Sequence, residues 1–151
     1  MKGIIFFVGL ASVSGLAQGQ RKIFYSSTGE NSDSVASHHY IIETGNEFYG
    51  QPVIAFYTKT NTVFYNSGLP DNNNVRPTTY YYPDGAEKMS GGFYRDKPVG
   101  LVKSFYNNGS PQAELVFDKT DLLSEDDPVI GIINYWDARG NKLVEDGTGE
   151  L

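Results

Sequence analysis

The sequence predicts an all-β protein, an open antiparallel meander of successive β-hairpins, and three observations carry that prediction. The 151 residues include 17 glycines, 11 tyrosines and 9 phenylalanines, a balance that favours strands and tight turns over helical bundles. An aromatic pair followed by two polar residues and a glycine recurs along the second half of the chain. Turn signals return every ten to twelve residues, which leaves no room for the long crossovers that parallel strands need. The length suits one domain.

Taken in order, the chain begins with Lys2, an apolar run over residues 4–13, and the small residues Ser14, Gly15 and Ala17. This is the layout of a secretory signal peptide, with residues 1–17 removed, and the apolar run falls well short of the roughly 20 residues that span a bilayer. The expected location is therefore periplasmic or secreted. Residues 18–78 read as an N-terminal β segment that packs on or extends the sheet. Its strand candidates are Ile23-Phe24-Tyr25, Tyr40-Ile41-Ile42 and Val53-Ile54-Ala55-Phe56-Tyr57. Residues 30–37 are polar and read as a loop or a single helical turn.

Residues 79–151 carry the repeat. Tyr81-Tyr82-Pro83-Asp84-Gly85 returns as Phe105-Tyr106-Asn107-Asn108-Gly109. A third copy reads Tyr135-Trp136-Asp137-Ala138-Arg139-Gly140 with one residue added, and a weaker one, out of period, is Phe64-Tyr65-Asn66-Ser67-Gly68. Asp-Gly and Asn-Gly adopt the positive φ of tight turns at little cost, so each copy reads as a hairpin. The return strands are placed at residues 87–94, 111–117 and 142–145, and the intervening strands at 101–106 and 129–136. Residues 96–100 read as a turn, with Pro98 and Gly100 as breakers. Gly147-Thr148-Gly149 reads as a frayed tail.

Strand alternation puts Tyr81, Phe105 and Tyr135 on one face and Tyr82, Tyr106 and Trp136 on the other. The second row is the candidate binding surface, because exposed rings on a flat sheet stack on sugar faces or anchor a protein partner.

The aromatic pair with its Asn-Gly or Asp-Gly turn, followed by Gly92-Phe93-Tyr94-Arg95-Asp96-Lys97-Pro98-Val99-Gly100-Leu101-Val102-Lys103, resembles the MORN-repeat variant family. Residues 80–117 match its pattern, and residues 135–146 match it in part. The N-terminal half is similar to the segment that precedes such repeats in TonB-type envelope proteins of Gram-negative bacteria. The resemblance implies an open sheet of hairpins that serves as a binding or spacing surface. The transducers carry a further C-terminal domain that this sequence does not show, so their function is not carried over.

Little in the sequence points to chemistry. The net charge of −6 argues against a nonspecific grip on nucleic acid or an anionic membrane. With zero cysteines there is no thiolate nucleophile, disulfide or thiolate metal site. His38 and His39 are the two imidazoles, and neighbours on a strand point apart, which disfavours a joint metal site. No Gly-x-Ser-x-Gly elbow accompanies them. Asp118, Asp121, Glu125, Asp126 and Asp127 do not match an EF-hand and read as a solvated acidic loop.

The expectation is a non-enzymatic, exported protein-interaction or scaffold module of the bacterial envelope with no cofactor or metal. Its partner would be an envelope or secreted protein, with no nucleic acid and no stable membrane insertion. An exposed edge at residues 142–145 suggests weak self-association. Two competing readings are a carbohydrate-binding module using the row Tyr82, Tyr106 and Trp136, and an enzyme using Asp126 or Asp127.

Overall fold

The computed structural model describes residues 21–28, 30–33, 35–43, 51–117 and 130–149. Residues 1–17, which read as a signal peptide, and the acidic stretch at residues 118–127 lie outside the described residues. Eleven strands follow in sequence: β1 (Arg21–Tyr25), β2 (His39–Glu43), β3 (Val53–Tyr57), β4 (Val63–Ser67), β5 (Arg76–Tyr81), β6 (Glu87–Tyr94), β7 (Lys97–Phe105), β8 (Pro111–Phe117), β9 (Ile130–Trp136), β10 (Lys142–Glu145) and β11 (Thr148–Gly149). They form one sheet whose spatial order is their order in sequence, and every neighbouring pair is antiparallel. The predicted all-β open meander is the observed architecture. None of the described residues is helical, so among them no helix is long and apolar enough to cross a membrane.

Register explains which face is packed. Ile23, Ile41, Ala55, Tyr65, Tyr80, Met89, Ser104, Ala113, Tyr135, Val144 and Gly149 are successive cross-strand partners from β1 to β11. Because side chains alternate across a strand, this row and its i±2 neighbours share one face. Ile41, Ala55, Phe93, Val102, Ala113 and Val144 are all buried there. The opposite face carries Asn66, Thr79, Ser90, Lys103, Glu114 and Asn134 in one cross-strand row from β4 to β9. Towards the N-terminus that polar face gives way to an aromatic stack, Phe24, Tyr40 and Phe56, with ring centroids 5.8 and 5.5 Å apart. Tyr40, only 1% exposed, is its centre.

The repeat is visible as geometry. In each hairpin the residue after the first strand closes the turn on itself: Tyr82 N–H donates to Ala86 O, and Gly85 N–H donates to Tyr82 O. Tyr106 with Ser110 and Gly109, and Asp137 with Asn141 and Gly140, repeat both bonds. Gly85, Gly109 and Gly140 all have positive φ, 93°, 82° and 87°, which is what a turn glycine supplies. The third copy is therefore Trp136-Asp137-Ala138-Arg139-Gly140 with no residue added, a shift of one from the sequence alignment. Trp136 takes the place of Tyr81 and Phe105, and Asp137 the place of Tyr82 and Tyr106.

An earlier copy lacks glycine altogether. Tyr57 N–H donates to Thr62 O and Asn61 N–H to Tyr57 O, with Asn61 at φ 58°. Asparagine tolerates that left-handed region better than other residues with a side chain. Phe64-Tyr65-Asn66-Ser67-Gly68 is not a turn, since its first four residues lie within β4.

A side-chain stitch joins consecutive copies. Tyr57 Oη donates to Tyr81 O at 2.7 Å, Tyr82 Oη to Phe105 O at 2.9 Å and Tyr106 Oη to Trp136 O at 2.8 Å. The acceptor residues stand where the pairing register slips, at Tyr80/Tyr81, at Ser104/Phe105 and opposite Lys142/Val144. A bulge disturbs the regular ladder, and the phenol from the preceding hairpin supplies a donor there.

Two other expectations change. The link between β6 and β7 is only Arg95-Asp96. Lys97 to Gly100 belong to β7, because Gly100, at φ 71°, lets the strand slip register instead of ending it. Gly147-Thr148-Gly149 is not a frayed tail: Thr148 and Gly149 pair with Glu145 and Val144 as β11, so β10 is not the final edge.

Candidate groove on the ring face

The packed face opens between β1 and β6 into a groove of about 550 Å³, within the range of roughly 300–1,000 Å³ typical of small-ligand sites. Its aromatic wall follows from register. Tyr25 pairs with His39, Tyr65 with Tyr80, and Phe93 lies two places past Gly91, the partner of Thr78. The rings meet in sequence: Tyr25 stacks on His39 at 5.3 Å, His39 contacts Phe64 at 4.6 Å, Phe64 lies 5.8 Å from Tyr80, and Tyr80 lies 5.3 Å from Phe93. Tyr65 and Tyr80 are tilted against each other at 5.6 Å. Contacts of this kind each add about 0.5–1.5 kcal/mol beyond area burial.

The far wall is the link from β4 to β5. Asp71 Oδ1 accepts the N–H groups of Asn73 and Val75 at 2.8 and 2.9 Å, and Asn74 takes φ 60° between them. Arg76 holds this link to the sheet by donating Nη1 to Gln51 O and Gly68 O, both at 2.9 Å. Pro70 and Asn74 are thereby brought to the groove. On its floor Ser67 and Thr78 hydroxyls bond to each other at 3.0 Å.

The third side is the Arg95-Asp96 link. Both residues have positive φ, 46° and 65°, the geometry of a two-residue hairpin turn that Asn-Gly or Asp-Gly ordinarily fills. A side chain at each of these positions costs conformational energy, and such departures cluster at functional sites. Arg95 lies over the Tyr94 ring at 5.4 Å. The Asp96 charge reaches both Tyr65 and Tyr80. Burial first, then Asp96, pushes each phenol up to about 12, so both hydroxyls keep their protons at neutral pH. Neither hydroxyl has a hydrogen-bond partner among the described residues.

His38 and His39 come together, contrary to the expectation that strand neighbours point apart. His38 sits in a bend just before β2, so its ring turns back and the two Nδ1 atoms lie 3.4 Å apart. Burial, and then the neighbouring His38, lowers the pKa of His39. Among the described residues, no group of three or more His, Asp or Glu side chains is placed to hold a metal ion.

Tyr82, Tyr106 and Trp136, the residues singled out from sequence, stand at the turn ends of the later hairpins and do not line the groove. All three are half-buried. The Tyr82 and Tyr106 hydroxyls are engaged as stitches, and Lys142 Nζ lies 5.2 Å from the Trp136 ring. Sequence reasoning missed Tyr25, Tyr65, Tyr80 and Asp96, which are brought together only by long-range register. The available signal was the pair Arg95-Asp96 in a two-residue link.

Comparison with protein families, with curated proteins and with solved structures finds no match to the chain.

Proposed function

We propose that the protein is a non-enzymatic interaction module of the bacterial envelope, exported by its N-terminal leader and built from MORN-like hairpins. The ring-face groove meets the partner. The observation that carries this reading is the groove itself, a concave aromatic surface on a sheet where the Tyr57, Tyr82 and Tyr106 hydroxyls are occupied in holding neighbouring hairpins together. Asp96 is the one carboxylate that lines it among the described residues, whereas acid–base cleavage of a glycosidic bond uses a pair of carboxylates. Its phenols stay protonated at neutral pH, which suits hydrogen bonding to a ligand.

The test is site-specific photo-crosslinking in the native cells from position 95, at the groove rim, with position 79 on the opposite face as the control. One envelope component captured repeatedly from position 95 and not from position 79 supports the reading. Equal capture from both positions, or none from position 95, refutes it.

A further inference from the structure

We propose that the groove between β1 and β6 takes an uncharged glycan chain. This rests on the reading of the groove as the binding site and names the ligand class. A pyranose offers two kinds of surface: apolar C–H faces and a rim of hydroxyls that both donate and accept. The groove offers the complement of each. Tyr25, Tyr65, Tyr80, Phe93 and Tyr94 contribute aromatic surface, the kind that covers an apolar ligand face. Tyr65 and Tyr80 also contribute hydroxyls that have no hydrogen-bond partner among the described residues. Each retains its proton at neutral pH, so it donates one bond and accepts others. The Asp96 carboxylate adds acceptors at the turn, and the Asn74 amide adds both donor and acceptor on the opposite wall.

Charge weighs against a cationic occupant, and the prior commitment of both guanidiniums weighs against an anionic one. A cationic side chain attracted by the rings and Asp96 would also meet Arg76 and Arg95. An anionic ligand would find the Arg76 guanidinium turned onto the Gln51 and Gly68 carbonyls and Arg95 laid over Tyr94, with Asp96 facing it. The net charge of −6 further slows approach of a polyanion. A peptide strand gains its affinity from main-chain bonds at a sheet edge, whereas this groove lies on a face.

The experiment is isothermal titration of the full chain with cellotetraose, chitotetraose and maltotetraose as uncharged probes, and with tetralysine and tetragalacturonate as charged ones. The expected result is saturable binding of at least one uncharged tetrasaccharide. Tyr65→Phe/Tyr80→Phe, which keeps both rings and removes both hydroxyls, weakens it by about tenfold, as loss of two hydrogen bonds implies. Thr79→Ala/Ser90→Ala on the opposite face leaves binding unchanged, and circular dichroism confirms that both double variants are folded. Failure of all three uncharged probes, or binding that the Tyr65/Tyr80 variant leaves intact, overturns the proposal. Stronger binding of tetralysine or tetragalacturonate that the Tyr65/Tyr80 variant abolishes overturns the uncharged ligand class and leaves the groove as the binding site. Failure of every probe together with no crosslink from position 95 removes both readings.

Discussion

Removal of a stitching hydroxyl isolates the contribution of one repeat-to-repeat bond. Tyr82→Phe deletes the 2.9 Å bond to Phe105 O and leaves the ring in place. Both groups are half-buried, so the net contribution falls in the ordinary range of about 0.5–1.5 kcal/mol. The same value applies to Tyr57→Phe and Tyr106→Phe, whose bonds are 2.7 and 2.8 Å. Because the three bonds join different hairpins and share no partner, the triple variant loses about 3 kcal/mol, close to the sum. With a urea slope near 2 kcal/mol per molar, each single variant lowers the unfolding midpoint by roughly 0.5 M and the triple by roughly 1.5 M. Tyr94→Phe is the control, since the Tyr94 hydroxyl has no such bond among the described residues. Equilibrium urea denaturation reads all five proteins. Stitch variants indistinguishable from Tyr94→Phe, within about 0.3 kcal/mol, would refute the idea that these phenols tie the hairpins together.

Three further outcomes follow from particular positions. Gly91→Ala places a Cβ 2.7 Å from Val102 Cγ2 and 2.9 Å from Leu101 O; since the backbone oxygen cannot swing away, overpacking costs about 1–3 kcal/mol, read as a lower urea midpoint. His39 has a lowered folded pKa, so the unfolded chain binds the proton more readily. Its contribution is therefore complete above the unfolded value near 6.5 and is lost as pH falls through that value towards the folded one; His39→Gln should flatten the unfolding midpoint over that window, and an unchanged pH profile would refute the assignment. Tyr65 and Tyr80 have folded values of about 12 against 10.0. That stabilising contribution is present below pH 10 and lost as pH rises from there towards 12. Alkaline titration at 295 nm should show two late-ionising phenols, absent in Tyr65→Phe/Tyr80→Phe.

The later hairpins were legible because their chemistry is local. Gly85 and Gly109 mark turns by a property of single residues, and the strands at 87–94, 111–117 and 142–145 coincide with β6, β8 and β10. Legibility failed where one residue substitutes for another's conformation. Asn61 performs the turn of the first copy without glycine, so the aromatic-to-glycine spacing points to Phe64-Tyr65 and not to Tyr57. Asp137 replaces the stitching tyrosine, which let Tyr135-Trp136 be read as the aromatic pair when Trp136 alone is the equivalent of Phe105. Pro98 and Gly100 are breakers by propensity, yet the register slip opposite Gly92 accommodates them inside β7.

The groove was invisible in the sequence for a different reason. Its rings come from β1, β5 and β6 as well as β4, and nothing in the local spacing of Tyr25, Tyr65 and Phe93 announces that they meet. The regular hairpins spend their aromatic residues on each other: Tyr82 and Tyr106 hydroxyls are consumed by the next carbonyl along. In the N-terminal half the equivalent stitch is made by Tyr57, so Tyr65 and Tyr80, two partners of one cross-strand row, are left with rings packed and with hydroxyls that have no hydrogen-bond partner among the described residues. A repeat that satisfies its own polar groups offers little to a ligand. Departure from the repeat, at the link before Arg76 and at Arg95-Asp96, is what leaves donors and acceptors facing a cavity, and that is the physical ground for proposing the groove as the binding site.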